Sequence, residues 1–381
     1  MSKTAKYHFD YIIIGNGLVG LQLALKFSSD PYFSDKKFAL IDPSQKDAND
    51  KTWCFWENGH GNWDHLVSRS WNSLKFVGPS KEVHHNISPY NYKMVRSIDF
   101  YKYAKTELVK KSNFTFFLES VTEVKEFDEY VLVETESTKF ETAHVFDSRI
   151  PEEYLHDTTS TKLIQHFKGW VIETKEKSFD SSEFTVMDYR NSFPNTTSFF
   201  YILPFSDDRA LIEFTFFNHY LIPDAQYDDY LNKYISNVLE INKFEIIENE
   251  IGQIPMTDFN FSRFNTERIT KIGTGGGWVK GSTGYSFKLT ESKVEKIISN
   301  LKREQNPSKD LFNKKYSFYD SIFLKVLSDN NHKGPSIFEK FYDKNKPKDY
   351  LPFLNEESSF FQDIKIMYSL FSPKFIKALF S

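Results

Sequence analysis

An α/β fold is predicted by three features of the 381-residue chain. A short β-branched run, Tyr11-Ile12-Ile13-Ile14, leads directly into Gly15-Asn16-Gly17-Leu18-Val19-Gly20 and then into a helical pattern. That is the order of a buried parallel strand, a glycine turn and a helix laid on a sheet. Between residues 167 and 217 the texture changes to successive strands divided by turns. A second glycine-rich segment, Ile272-Gly273-Thr274-Gly275-Gly276-Gly277, then precedes another helix. Together these predict a Rossmann-type nucleotide-binding domain of separated segments, interleaved with an antiparallel-sheet domain. The expected division gives residues 1–70, 91–160 and 264–303 to the nucleotide domain and residues 71–90 and 161–263 to the sheet domain. Residues 304–381 form a Lys- and Phe-rich helical tail.

Each element follows from its residues. Leu21, Leu23, Ala24, Leu25 and Phe27 suit a helix packed on a sheet, and Phe38-Ala39-Leu40-Ile41 is the second strand, ending at Asp42. A helix with alternating faces covers residues 99–110. Short strands follow at 114–118, 130–134 and 143–146, the last running into Asp147-Ser148-Arg149. Strands are expected at 169–174, 184–190, 199–204 and 210–217, with Ser206-Asp207-Asp208-Arg209 as the turn joining the last two. Leu289, Val294, Ile297, Ile298 and Leu301 supply the apolar face of a helix over residues 287–303.

Composition sets limits on function. Charged residues at 26% and the AVILMFWYC set at 40% provide a folded core and exclude a disordered or collagen-like chain. A net charge of −4, from 48 basic and 52 acidic side chains, gives no electrostatic footprint for nucleic acid. One cysteine, Cys54, closes no intramolecular disulfide and suits a reducing compartment. No metal-ligand spacing is present. No apolar run approaches the ~20 residues of a spanning helix, and the polar start of the chain, with Lys6, His8 and Asp10, lacks a signal-peptide core. A cytoplasmic protein without a membrane span is expected. The aromatic content of 17% has two explanations, a compositional bias and a fold built around a large apolar or cationic guest.

The glycine turn carries the first chemistry. In G-x-G-x-x-G, Gly15 allows the tight turn, Gly17 lets the backbone approach a pyrophosphate, and Gly20 lets the helix lie against the strand. The free N–H groups from Leu18 onward and the positive helix end face the phosphates. Asp42 is placed to bond a ribose hydroxyl. The N-terminal motif, the interrupted domain and the late glycine-rich segment favour FAD over NAD. Gly281, Thr283, Gly284 and Tyr285 are expected in the second cradle. Arg96 is either a partner of the cofactor phosphate or an ordinary surface arginine.

Several separate stretches carry a family resemblance. They are Gly15 to Gly20, Asn49-Asp50-Lys51-Thr52-Trp53-Cys54-Phe55-Trp56, Phe167-Lys168-Gly169-Trp170-Val171-Ile172-Glu173-Thr174 and Val186-Met187-Asp188-Tyr189-Arg190. They continue with Tyr201-Ile202-Leu203-Pro204-Phe205, Leu211-Ile212-Glu213-Phe214-Thr215, Gly252-Gln253-Ile254-Pro255-Met256 and Gly281-Ser282-Thr283-Gly284-Tyr285-Ser286. In these stretches the chain resembles the bacterial β-type lycopene cyclases, of the flavoprotein superfamily of aromatic hydroxylases and geranylgeranyl reductases. The resemblance implies an aromatic-hydroxylase-like flavoprotein fold, FAD active in its reduced form, and NADPH as reductant. It implies redox-neutral closure of the ψ-ends of lycopene into β-rings, giving β-carotene via γ-carotene, with Glu213 as proton donor. Residues 275–286 lack the aspartate usual in flavin hydroxylases, which separates the chain from that branch. Phe214 follows Glu213 and is expected to make its strand more apolar.

Such a reaction needs an acid that keeps its proton near neutral pH, although a carboxyl group in water titrates near ~4.3. Glu173, Asp188 and Glu213 are the acids set in apolar strands. Alternation puts Leu211, Glu213 and Thr215 on one face, and Leu211, Ile212 and Phe214 are expected to desolvate Glu213. Asp188 is a catalytic candidate or a buried ion pair with Arg190, and Glu173 a supporting acid. Trp53, Phe55, Trp56 and Tyr201 are candidate cation–π faces. Residues 360–380 carry Phe361, Ile364, Ile366, Met367, Leu370, Phe371, Phe375, Ile376, Leu379 and Phe380, flanked by Lys365, Lys374 and Lys377. They read as amphipathic helices broken near Pro373. These lie on a membrane surface, where the linear carotene dissolves, or pack on the protein itself. Competing functions are a flavin-dependent isoprenoid reductase or monooxygenase, and a non-catalytic flavin- or carotenoid-binding protein.

Overall fold

A computed structural model describes residues 5–379. The first strand, Ala5–Ile14, sits at the centre of a seven-stranded sheet, between Phe38–Ile41 and Thr138–Asp147, both parallel to it. Phe114–Phe117 extends the parallel set beyond Phe38–Ile41, and Ile269–Lys271 joins it on Thr138–Asp147. Val131–Thr135 and Val121–Glu126 complete the sheet as antiparallel neighbours. Ile12, Ile13, Phe38, Ala39 and Leu40 have no exposure, as expected of strands covered on both faces. The helices Leu18–Ser29 and Phe287–Lys302 pack on one another beside this sheet.

The parallel strands all end on the same side. Gly15, Asp42, Ser148 and Ile272 follow their carboxyl ends, and backbone bonds tie them together. The N–H of Gly15 reaches Ile41 O at 2.8 Å, that of Ser148 reaches Ile14 O at 3.1 Å, and that of Ile272 reaches Asp147 O at 3.0 Å. Ligands bind at such an edge in open α/β sheets.

The second seven-stranded sheet has the order Glu245–Thr257, Lys162–Glu173, Arg209–Asn218, Thr197–Pro204, Glu183–Asp188, Ser73–Val77, Glu82–Asn86. Successive strands of the sequence are therefore not always neighbours. Lys162–Glu173 pairs with Arg209–Asn218 because the strands between them fold back on the far side. Alternation divides the sheet's residues between two cores. Ile212, Phe214 and Phe216 pack with Phe200 and Trp170 beneath the helix Asp224–Asn237, whereas Leu211 and Phe217 face the C-terminal helices. A three-stranded sheet of Thr52–Asn58, Tyr90–Arg96 and Arg69–Trp71 stands between the two large ones.

The predicted elements recur with shifted ends. Residues 99–110 become the helix Ser97–Val109, and 169–174 is the end of the longer strand Lys162–Glu173. The strand Glu245–Thr257 and the helix Asp224–Asn237 were not expected. The tail is helical, with Phe360–Leu370 and Pro373–Leu379 separated at Phe371 and Ser372. Phe380 lies outside the described residues.

Candidate active site

The glycine turn is built by contacts that leave no room for side chains except at one position. A Cβ on Gly15, whose φ is +101°, would lie 2.0 Å from Ser148 Oγ, and one on Gly20 would lie 2.0 Å from the Gly15 carbonyl oxygen. At Gly17 nothing stands within 4 Å. Gly17 caps the helix Leu18–Ser29 with no side-chain cap and no acid in the first turn. The helix Phe287–Lys302 likewise starts at Ser286 with neither. Both helix starts open on one cavity of about 620 Å³. Gly15, Gly17, Leu18 and Gly20 line it at one end, and Thr283, Gly284 and Tyr285 line it farther along. Gln165 Oε1 and Trp278 Nε1, from two further lining residues, are buried without a hydrogen-bond partner among the described residues.

The cavity continues over the second sheet, where four strands present one row. Tyr201 pairs with Glu213, Glu213 with Gly169, and Gly169 with Glu250. Residues directly opposite in antiparallel strands share a face, so two carboxyl groups flank a residue without a side chain. A Cβ on Gly169 would stand 3.0 Å from Leu211 Cδ1 and 3.3 Å from Glu213 Cβ. Three phenols close this end: Tyr92 Oη lies 2.8 Å from Tyr201 Oη and 3.0 Å from Tyr285 Oη. The Cys54 thiol is beside Tyr201 and Tyr92 and is pushed up to about 12, chiefly by burial.

Glu213 is buried, 7% exposed. Its Oε1 accepts a hydrogen bond from the Thr215 hydroxyl, and no salt bridge to it occurs among the described residues. Removal from water is the main cause of its shift, and the Glu250 carboxylate adds to it while the Thr215 bond opposes both. The Glu213 carboxyl is thereby pushed from 4.5 up to about 8. Leu211 contributes to this desolvation. Ile212 and Phe214 do not face the acid; they belong to the opposite core, so the expected part played by Phe214 is corrected by the pleat.

Other predicted residues stand elsewhere. Glu173 is exposed at the end of its strand, paired in register with Arg209 and Glu245, outside the cavity. Asp188 is fully buried but on the other core's side. Its carboxylate takes the Nε–H of Arg190 at 3.0 Å and the Tyr234 hydroxyl at 2.6 Å, the ion pair anticipated as its alternative. Arg96 gives its Nη2 to Glu248 at 2.9 Å and does not line the cavity, because that carboxylate holds it at the sheet edge. Gly281 is a packing residue: a Cβ there would meet Leu324 Cδ1 at 3.0 Å and Thr257 O at 3.1 Å. Asp42 abuts the turn, with its carboxylate on the backbone N–H of Asn16 at 2.6 Å and of Ser44 at 2.7 Å. Of the aromatic candidates, Trp53 and Tyr201 line the cavity, while Phe55 is stacked on Phe287 and Trp56 is packed on Tyr92. Glu250 and the phenol cluster were missed. Alternation backward from Gly252 would have found Glu250, whereas Tyr92, Tyr201 and Tyr285 meet only in three dimensions.

The fold defines the class of protein. Over 95% of this chain and 99% of the other, it is similar to a flavoprotein/dehydrogenase from Cytophaga hutchinsonii, with 11% identity and a TM-score of 0.64. A geranylgeranyl bacteriochlorophyll reductase-like protein from Thermoplasma acidophilum is similar over 98% and 99%, with 12% identity and a TM-score of 0.59. The halogenase PltM, in complex with phloroglucinol and FAD, is similar over 97% and 89%, with 10% identity and a TM-score of 0.56. The architecture is the aromatic-hydroxylase-like flavoprotein fold. No sequence among the curated proteins matches the chain. A family model described as lycopene cyclase protein matches residues 10–379, and the chain belongs to the lycopene cyclase family. It is thus an enzyme of carotenoid biosynthesis.

The raised Glu213 pKa has a consequence for stability. Its stabilising contribution is complete below the ordinary value of 4.5, declines as pH rises beyond that, and is gone above about 8. Glu213→Gln should therefore gain on the wild type as pH rises. Urea unfolding at about pH 5 and about pH 9 should show the variant's relative stability higher at the alkaline value. A difference independent of pH would contradict the burial described.

Proposed function

We propose that the protein is an FAD-dependent lycopene β-cyclase in which Glu213 donates the proton that starts ring closure. The observation that carries this is the carboxyl itself: buried, without a counter-cation, and raised to about 8 within a cavity continuous with the glycine turn. The Glu213 proton adds to C2 of the terminal C1=C2 bond and leaves a tertiary cation at C1. The C5=C6 electrons then form the C1–C6 bond, and loss of the C6 proton restores a double bond at C5=C6. Product and substrate have the same mass. Phe167, Phe199 and Phe217 wall the cavity and exclude water that would capture the cation. The phenol faces and the Trp53 ring offer the cation negative π surface.

The residues present fit FAD. Two uncapped helix starts, the open space at Gly17 and the unpartnered Gln165 and Trp278 atoms suit a long polar cofactor threaded between the domains. Gly15, Gly17, Leu18 and Gly20 would hold its pyrophosphate, and Asp42, which does not line the cavity, would brace the turn through the Asn16 N–H rather than reach the ribose. Thr283, Gly284 and Tyr285 would border its flavin. When bound and reduced, with NADPH as the reductant, it would supply negative charge that stabilises the cation.

The cavity reaches the C-terminal helices, where Met367, Leu370, Phe371 and Phe375 line it. The helix Phe360–Leu370 turns its apolar stripe outward: Phe360, Phe361 and Tyr368 are 65%, 82% and 81% exposed, while Asp363 and Ile366 face inward. Lys365 is tied to Asp349. No helix among the described residues is long and apolar enough to cross a membrane. An outward apolar stripe beside a cavity mouth suits peripheral docking on a bilayer, from which the carotene enters.

Four outcomes are expected. Glu213→Gln should fold and bind flavin yet lose cyclisation by ~10² or more, as when a general acid is removed. Product analysis with lycopene and reduced FAD should show a mass-neutral isomer from the wild type, without NADPH consumed in proportion. Added oxygen, added hydrogen or unchanged lycopene would indicate a monooxygenase, a reductase or a binding protein. Gly17→Val, whose Cβ has open space around it, should stay folded but lose flavin, as absorbance of the purified variant would report; full flavin content would refute the cradle. Replacing Phe361 and Tyr368 with serine should weaken sedimentation with phospholipid vesicles without changing flavin content, and unchanged sedimentation would refute the docking face.

A further inference from the structure

We propose that Glu250 is the base that takes the C6 proton, facing Glu213 across the bare backbone of Gly169. This rests on the cyclase reading and assigns the half of the reaction that Glu213 leaves open. The two carboxyl groups come from strands on either side of Lys162–Glu173, and both side chains line the cavity. Adjacent strands lie about 4.8 Å apart, so the two backbones stand about twice that distance from each other. Gly169 puts no side chain of its own between them, Leu211 and the Glu213 stem close over its backbone, and a group in the cavity that both acids line meets the acid on one side and the second carboxyl on the other.

Their hydrogen bonds distinguish the roles. Glu250 accepts two, from the Thr52 N–H at 2.9 Å and the Thr52 hydroxyl at 2.6 Å, one on each oxygen. Donors on both oxygens favour the ionised form. Glu213 accepts one bond, on Oε1, and its Oε2 is left to carry the proton. Burial raises Glu250 as well, but Thr52 and Lys51 oppose the rise, while Asp50 adds to it. The net direction for Glu250 is still upward; its two donors, against one for Glu213, are what assign it the ionised role in this proposal.

The other groups at this end do not serve. Burial pushes the Tyr92, Tyr201 and Tyr285 hydroxyls and the Cys54 thiol upward, so all four keep their protons. Asp50 is occupied by Ser97 and Tyr101, and Glu248 by Arg96 and Arg209. The sum balances: Glu213 gives one proton to C2, and Glu250 takes one from C6 as the C–H electrons become the C5=C6 bond. One proton passing from Glu250 to Glu213 resets the enzyme, and no oxidant or reductant is consumed.

The test is the ring made by the purified, flavin-loaded Glu250→Gln enzyme with lycopene in phospholipid vesicles. With the base gone, the cation at C5 loses a proton from C4 or from its methyl group, or adds water. The expected result is a loss of β-ring formation of ~10² or more. The residual product should be enriched in rings with the double bond displaced or a hydroxyl added, and Glu250→Asp should restore part of the β-ring yield. Thr52→Val, which removes one donor from Glu250 at a strand position that suits valine, should shift the products in the same direction. β-rings as the sole residual product, whether turnover is normal or reduced, would overturn the assignment, since a merely structural role lowers rate without moving the double bond. Glu213→Gln separates the two claims: it should lose turnover without changing the ring. If Glu213→Gln is inert while Glu250→Gln makes only β-rings, the cyclase reading stands and the base assignment falls. A wild type that makes no isomer overturns both.

Discussion

An acid that must keep its proton at neutral pH tolerates no cation beside it, and that exclusion organises the residues around Glu213. The nearby positive charges are committed elsewhere. Arg209, in the same strand, and Arg96 share Glu248. Lys168, in the adjacent strand, points to the other face and binds Asp224 and Asp228. Lys280 is buried between Asp320 and Glu356. Lys51 acts on Glu250 rather than on Glu213. What faces Glu213 is a hydroxyl, phenols, a thiol, hydrocarbon and one like charge. Only the Thr215 hydroxyl opposes its desolvation, and the Glu250 charge adds to it.

The two large sheets divide the labour. Parallel strands end together and present backbone N–H groups with little side chain, a surface suited to phosphate. Antiparallel strands have strict alternation, so a polar row can be set on one face while the other face packs against a helix. Glu213 uses that property fully. Its sequence neighbours Ile212 and Phe214 anchor the strand from behind, beneath Tyr227, Leu231 and Tyr234, and the acid is held from a rigid element. The three-stranded sheet then brings Thr52, Cys54 and Tyr92 to the same end. Binding and acid chemistry are thus supplied by different sheets and meet in one cavity.

How much of this was legible in the sequence follows from the range of each interaction. The glycine turn is local: Gly15, Gly17 and Gly20 are close in sequence, and their spacing carries the geometry. Glu213 was legible because period-two alternation within one strand sets its face. The same rule also shows why assigning Phe214 to its environment was an error. Glu250 was harder, since its strand, Glu245–Thr257, exposes Glu245, Ile246 and Ile247 and lacks a clean apolar pattern. Its meaning comes from register against Gly169, which no single segment encodes. The phenol cluster joins residues from three elements, and Arg96 met Glu248 through a strand that was not foreseen. Asp188 carried its own answer in Arg190, two residues on.

The central claim is that Glu213 holds a proton in the resting enzyme at neutral pH. Infrared difference spectroscopy of the carboxyl stretch, comparing the wild type with Glu213→Gln, tests it most directly. The account predicts a protonated-carboxyl band at neutral pH that disappears as pH rises through about 8 and is missing from the variant. A wild type with no such band at neutral pH, whose Glu213 takes up its proton only near the ordinary value of 4.5, would contradict it.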